Sequence, residues 1–227
     1  MKTKRITVLL AEDHTMVRQG FRKMLELESD LEVVGEAEDG RRAVALVKEL
    51  RPAVVVIDIA MPLLNGLEAT RQILKTVPST RILILSAHSD DAYIKDAMKS
   101  GAVGFLLKQT STHVLSEGIR EVSEGNVFLG PLMAKRLPER ERKSLDRAGR
   151  PKPRNDRLTS REMEVIQLVA EGQANKQIAA ELGLGTKTVE KHRERLMRKL
   201  DIHDTAGLTR YAISAGIIES SVQVTIV

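Results

Sequence analysis

The chain is expected to pair an α/β domain, built on a parallel sheet, with a small all-α domain. Through the first 128 residues, short apolar runs alternate with longer amphipathic segments, five times over. Residues 135–157 then carry ten Lys and Arg against four Asp and Glu, with almost nothing apolar. The last 70 residues read as four short helices punctuated by glycine.

The apolar runs at 6–10, 32–36, 54–58, 82–86 and 104–107 are the strand candidates. Val54-Val55-Val56-Ile57 is β-branched throughout, as suits a central strand covered on both faces. Segments 15–28, 40–50, 66–77, 90–100 and 110–124 are the helix candidates, with Val44, Val47 and Leu50 on one face of the second. Strands alternating with helices of this length make βαβ units, and right-handed crossovers wind them on both faces of a parallel sheet.

Composition narrows the function classes. The 227 residues include no cysteine, which excludes disulfides, thiolate zinc sites and cysteine nucleophiles. No stretch approaches the roughly 20 apolar residues of a membrane span. The basic start, residues 1–5, runs into Glu12-Asp13 too soon for a secretory signal, so the expected location is cytoplasmic with no membrane partner. Five aromatics (Phe21, Tyr93, Phe105, Phe128, Tyr211) are too few for a single-strand binder that stacks bases. Residues 1–134 carry net −1, residues 135–157 net +6 and residues 158–227 net zero. The basic excess, with Pro138, Pro151 and Pro153, reads as a solvated linker. The expected boundaries are 1–128, a linker at 129–157, a helical domain at 158–218 and a tail at 219–227.

Sites in open parallel sheets lie beyond the carboxyl ends of the strands, near a switch in strand order. There stand Glu12 and Asp13 after the first strand, Asp58 at the end of the third, Ser86 at the end of the fourth and Lys108 after the fifth. Neither a phosphate-binding Gly-rich loop ending in Lys-Ser/Thr nor a dinucleotide fingerprint is present. Three carboxylates repel one another unless a cation sits among them, and oxygen ligands favour Mg²⁺. A carboxylate can attack phosphorus, with a lysine and a cation offsetting charge on the transferred oxygens. The constellation reads as a site that accepts a phosphoryl group on aspartate.

Ala11-Glu12-Asp13, Val56-Ile57-Asp58-Ile59-Ala60-Met61-Pro62, Asn65-Gly66, Ile84-Leu85-Ser86-Ala87 and Gly104-Phe105-Leu106-Leu107-Lys108 together resemble the receiver domain of bacterial two-component response regulators. The resemblance covers about residues 4–125 and implies a flavodoxin-like, five-stranded sheet of order 2-1-3-4-5. It implies Asp58 as phosphoacceptor, and Mg²⁺ held by Glu12, Asp13, Asp58 and the Ala60 carbonyl. It further implies Ser86 and Lys108 as phosphoryl ligands and Phe105 as the aromatic that turns with Ser86. His88 is read as a loop residue near the site.

In the last 70 residues, Thr159-Ser160-Arg161-Glu162 is a capping box ahead of an apolar run that Gly172 stops. Asn175, Thr186 and Thr205 are the expected caps of the next three helices, and Gly183-Leu184-Gly185 is a tight turn. Two short helices joined by a glycine turn form a helix-turn-helix. The second carries Lys187, Lys191, Arg193, Arg195, Arg198 and Lys199 against Glu190 and Glu194, with Val189, Leu196 and Leu200 inward. A basic second helix suits the major groove.

Leu158-Thr159-Ser160-Arg161-Glu162, Asn175-Lys176-Gln177-Ile178-Ala179 and Thr188-Val189-Glu190-Lys191-His192-Arg193 resemble a LuxR-type helix-turn-helix. With the receiver, this resembles the NarL/FixJ subfamily of response regulators. That resemblance implies contact with double-stranded promoter DNA by Lys187, Thr188, Lys191, His192, Arg193 and Arg195. It also implies a sensor histidine kinase as partner, and a homodimer through the fourth helix at Leu208, Tyr211 and Ala212. Two other readings stay open. One is a Mg²⁺-dependent phosphatase with an aspartyl-phosphate intermediate, against which Ala60 stands where a general acid is needed. The other is a DNA-binding regulator whose receiver only dimerises.

Overall fold

The computed structural model describes residues 5–87, 91–136 and 158–218; His88, residues 137–157 of the basic segment and the tail at 219–227 lie outside them. The chain divides into two compact units, within residues 1–152 and 153–227.

The first unit runs β1 (Ile6–Ala11), α1 (Thr15–Leu25), β2 (Leu31–Ala37), α2 (Gly40–Leu50), β3 (Val54–Asp58), α3 (Gly66–Thr76), β4 (Arg81–Ser86), α4 (Asp91–Ser100), β5 (Gly104–Leu107), α5 (Thr112–Glu124), β6 (Phe128–Leu129) and α6 (Pro131–Arg136). The strands are parallel, in the order β2-β1-β3-β4-β5-β6. Side chains alternate across the sheet, so each strand feeds two cores. Leu9, Val55, Ile57, Ile82, Ile84 and Phe105 pack with residues of α2, α3 and α4. Val8, Leu10, Val56, Leu83, Leu85 and Leu106 pack with Phe21 and Leu25 of α1 and with Leu115, Ile119 and Val122 of α5. Burial on both faces is why the central strands are apolar without interruption.

The sheet has six strands rather than the expected five. Phe128 pairs with Gly104 and Leu129 with Phe105. Leu129 and α6 therefore belong to the first unit, not to a linker beginning at 129. A two-residue strand shows no alternation. Its one local trace is Gly118, where a Cβ would stand 2.8 Å from the Phe128 ring. The first helix also ends at Leu25 rather than 28, and the fifth begins at Thr112 rather than 110.

The second unit holds α7 (Ser160–Ala170), α8 (Asn175–Leu182), α9 (Thr186–Leu200) and α10 (Thr205–Ser214). Val165, Ile166, Ile178, Leu182, Val189, Leu196, Leu208 and Ala212 are buried there. The capping box forms as expected: Glu162 N donates to Thr159 Oγ1 at 3.2 Å, and Thr159 N to Glu162 Oε2 at 2.8 Å. Gly183 closes α8 with φ 62°. The other three caps fall one residue earlier than expected. Ala174 N donates to Gln177 Oε1 at 2.8 Å, Gly185 precedes α9, and Asp204 Oδ1 accepts from Gly207 N at 2.5 Å. Ala174 and Gly185 bring no side-chain acceptor to the cap position and only Asp204 does, and sequence alone places such boundaries only to within a residue or two.

Candidate functional site

β1, β3, β4 and β5 end on one edge, and their last residues or the ones just after carry the chemistry. β1 and β3 are neighbours, with Ala11 opposite Ile57, so the residues that follow them meet. Glu12, Asp58 and Ser86 are all buried, at 3%, 2% and 1% exposure. Lys108 reaches across from β5. Its Nζ donates to Asp58 Oδ2 at 2.8 Å and to Glu12 Oε1 at 3.0 Å, and stands 2.8 Å from Glu12 Oε2. Its backbone N–H donates to the Ser86 carbonyl at 2.8 Å, which ties the ends of β4 and β5 together. The structure thus joins Glu12, Asp58 and Lys108 by direct contact and places Ser86 at the adjacent strand end.

The electrostatics follow from burial. Desolvation pushes the Asp58 carboxyl up to about 7; Lys108 opposes the shift, while Glu12 and Asp13 add to it. Burial disfavours charge on Lys108, but Asp58 and Glu12 outweigh it and hold its proton more firmly than usual. His14 is raised too, chiefly by Asp13 and further by Glu12, against its own partial desolvation. Its Nδ1 lies 2.7 Å from Asp13 Oδ1 and 3.1 Å from Glu12 Oε1. Lys108 alone does not balance the two buried carboxylates of Glu12 and Asp58 with the partly exposed Asp13 beside them.

Mg²⁺ fits the oxygens present. Glu12 Oε2 and Asp13 Oδ1 are buried and receive no hydrogen bond, although each has a cationic side chain nearby. Glu12, Asp13 and His14 offer ligand atoms within 4.8 Å of one another. Two buried carboxylate oxygens this close to one another are hard, anionic ligands of the kind Mg²⁺ takes, in place of the cations now paired with them. Asp58, with Glu12 on the same lysine, and the carbonyl of half-buried Ala60 just beyond it are the further expected ligands.

Local structure holds the edge in place. Asn65 Oδ1 caps α3 by accepting from Glu68 N at 2.9 Å. Gly66 N donates to the Ile59 carbonyl at 2.8 Å. A Cβ on Gly66 would stand 1.9 Å from the Asp58 carbonyl oxygen, so only glycine lets α3 approach the Asp58 peptide this closely. Leu63 in the same loop holds φ 64°, a left-handed conformation costly for leucine. Phe105 is fully buried, opposite Ile84 and Leu129.

In the second unit, α9 buries Val189 and Leu196 and exposes Lys187, Thr188, Lys191, Arg195 and Arg198. Thr188, Lys191, Arg195 and Arg198 recur at helical spacing on one face. His192 and Arg193 are half-buried. Arg193 is engaged within the unit: it donates to Asn175 Oδ1 at 2.6 Å and to Thr205 Oγ1 at 3.0 Å, bridging the starts of α8 and α10. Lys199 is likewise engaged, 2.7 Å from Glu162 Oε2. Arg198 shares the exposed face of α9, and its spacing from Lys191 and Arg195 is the signal for it. In the first unit, His14 and Arg18, at the start of α1, contact Glu12 and Asp13, and no motif of the sequence marks them.

One expectation for α10 is corrected. Leu208 and Ala212 are wholly buried within the unit, and Tyr211 is half-buried. Their spacing marks the inner face of α10, so Leu208 and Ala212 offer nothing to a second chain. The outer face carries Ala206, Arg210, Ile213 and Ser214, with Ile213 37% exposed. No described helix is long and apolar enough to cross a membrane.

Comparison with known proteins identifies both units. The family model described as the response regulator receiver domain matches residues 8–120. The model described as bacterial regulatory proteins, luxR family, matches residues 156–212. The transcriptional regulatory protein LiaR of Bacillus subtilis is 37% identical over 207 residues, covering 91% of this chain and 96% of that protein. The response regulator VraR of Staphylococcus aureus is 33% identical over 214 residues, covering 94% of this chain and 99% of that one. Among solved structures, RcsB of Salmonella enterica serovar Typhimurium, bound to a promoter in the presence of phosphomimetic BeF₃⁻, aligns with TM-score 0.58 and 26% identity. That alignment covers 93% of this chain and 100% of RcsB.

Proposed function

The chain belongs to the response regulators that join a receiver domain to a LuxR-type DNA-binding domain, and from that premise we propose a transcriptional switch thrown by phosphorylation of Asp58. The observation that carries the proposal is the buried carboxylate of Asp58, held by Lys108 at the same edge as Glu12 and Asp13.

The donor is a sensor histidine kinase. A carboxylate oxygen of Asp58 attacks the phosphorus, the bond from phosphorus to the kinase imidazole nitrogen breaks, and the nitrogen keeps the electron pair. Asp58 must be ionised to attack, and Lys108 is the side chain that favours its charged form. Glu12, Asp13, Asp58 and the Ala60 carbonyl would hold Mg²⁺, which supplies positive charge against the transferred oxygens. The Lys108 ammonium, paired with Asp58 beforehand, then pairs with the phosphoryl group, and the Ser86 hydroxyl donates to it. Phe105, one strand from Ser86, is the side chain through which the change reaches the surface around β5.

The response is double-stranded promoter DNA bound by the exposed face of α9, with Lys187, Thr188, Lys191, Arg195 and Arg198 as contacts and His192 at its edge. Phosphorylation favours a homodimer whose two α9 helices lie about one DNA turn apart, roughly 34 Å. The outer face of α10 is the pairing surface in the DNA-binding unit. The phosphorylated and unphosphorylated forms must prefer different states for the switch to work.

The test is an intact mass after incubation with Mg²⁺ and acetyl phosphate. The wild type is expected to gain one phosphoryl mass and Asp58→Ala none. No gain by the wild type, or an equal gain by both, overturns the assignment and favours a receiver that serves only to pair chains.

A further inference from the structure

The acidic pair Glu12-Asp13 sits in the turn between β1 and α1, and something must hold that turn against the repulsion of its own side chains. The Glu12 N–H donates to the Ala37 carbonyl at 3.0 Å, continuing the β1–β2 ladder by one bond. Beyond that bond the ladder stops. Arg18, from the first turns of α1, reaches back beneath the loop. Its guanidinium donates to the Glu12 carbonyl at 2.5 Å and lies 3.4 Å from the Asp13 carbonyl. The side chain is only 12% exposed. Its Nε is 3.3 Å from Glu36 Oε2 at the end of β2, and Arg22 pairs with the same carboxylate.

A carbonyl held in place fixes the ψ angle of its residue, and therefore the direction in which the next residue projects. We propose that Arg18 is a positioning residue for the divalent-cation site: by holding the Glu12 carbonyl it sets where the Asp13 carboxylate stands, and by holding the Asp13 carbonyl it fixes the path of the chain into α1. This rests on the reading that the acidic edge binds Mg²⁺. Both carbonyl contacts come from Nη1 while Nε faces Glu36, so the rigid guanidinium plane joins the loop to β2 through two different nitrogens, which the single nitrogen of a lysine ammonium on a flexible stem does not do. Glu36 completes the device. A bare guanidinium behind the carboxylates would repel the incoming cation, and the Glu36 carboxylate offsets its charge.

The two roles of Arg18 predict opposite signs. If it acted through charge, removing it would tighten Mg²⁺ binding, because one positive group near the site is gone. If it acts through position, removing it weakens binding. Partners of metal ligands act at about 10–100-fold in affinity.

The experiment is Mg²⁺ titration of the full-length, unphosphorylated chain by isothermal calorimetry, with circular dichroism to check folding. Arg18→Met is expected to bind Mg²⁺ about tenfold more weakly than wild type. Unchanged or tighter binding overturns the proposal. Arg18→Lys, which keeps the charge, is expected to fall between the two, and it decides the case if Arg18→Met does not fold; wild-type affinity there also overturns the proposal. Glu36→Gln keeps the arginine and unpairs it, so its affinity should fall without loss of the loop geometry, read as unchanged backbone amide shifts at residues 12–14. If the wild type itself shows no saturable Mg²⁺ binding, the cation reading fails, and Arg18 has no cation site to position.

Discussion

Lys108 Nζ stands 2.8 Å from Asp58 Oδ2, although the two residues come from strands that are not neighbours, with β4 between β3 and β5. The lysine spans that strand, and it meets a carboxylate whose burial makes ionisation costly. This contact sets how the site titrates.

Asp58 rises from its ordinary 3.8 to about 7 in the fold, so the folded chain binds its proton more tightly than the unfolded chain. Stability from this group is complete below about pH 4 and is lost as pH rises through about 7. Asp58→Asn mimics the protonated form. Its receiver is expected to melt about 4 °C or more above wild type at pH 8, with the difference vanishing toward pH 4, as read by calorimetry without divalent cation.

Lys108 is the principal group that lowers the Asp58 pKa. Lys108→Met should therefore move the Asp58 carboxyl midpoint above 7, seen in a carbon-detected NMR titration of the aspartate side chains. Phosphoryl uptake from acetyl phosphate at pH 7 should slow in parallel. A midpoint that stays at or below 7 would show that burial and Lys108 are not the governing pair.

Gly66→Ala sets a Cβ 1.9 Å from the Asp58 carbonyl, and backbone must shift to admit it. A loss of about 1–3 kcal/mol in receiver stability is expected from overpacking of this kind. Phosphoryl uptake should fall with it, since the displaced peptide carries Asp58. Denaturant unfolding measures the first effect and intact mass the second.

Glu162 accepts from Thr159 N at 2.8 Å and pairs with Lys199 at 2.7 Å, linking the start of α7 to the end of α9. Burial pushes its carboxyl up, and the bonds from Lys199 and Thr159 outweigh burial, so the net shift is downward from 4.5. The stabilisation is therefore present above pH 4.5 and is lost as pH falls through the folded value. Glu162→Gln should cost about 1–2 kcal/mol at pH 7, with the gap to wild type closing at lower pH in urea unfolding curves.

Basic residues on α9 are expected to separate by role. Lys191→Ala and Arg195→Ala should each lower the slope of log affinity against log salt by about 1, with little change in melting. Arg193→Ala, which breaks contacts to Asn175 and Thr205, should lower the melting temperature of the second unit. DNA titrations at three salt concentrations, set beside thermal melts, distinguish the two outcomes.

Much of this was legible in the chain as a string of residues. Alternation of apolar runs and amphipathic helices is a local signal, and it located five strands, five helices and the capping box of α7. The residues at strand ends were equally readable, because only a functional edge tolerates Glu12, Asp58, Ser86 and Lys108 beside such apolar strands. Contact between side chains distant in sequence was not readable. Lys108 meets Asp58 across 50 residues and Glu12 across 96, and no periodicity records which carboxylate a lysine will choose. The two-residue β6 has too little length for a pattern, and its pairing with β5, Phe128 opposite Gly104 and Leu129 opposite Phe105, is what reveals it. On α10 the apolar positions were visible, but whether they faced the unit's own core or a partner depended on α7 filling the space beside Leu208 and Ala212. Arg193 is basic on a basic helix; Asn175 and Thr205, brought near it by the turns of the fold, give its guanidinium hydrogen bonds within the unit. Residue chemistry sets what each side chain is able to do, while the packing of distant segments sets the neighbour on which it acts.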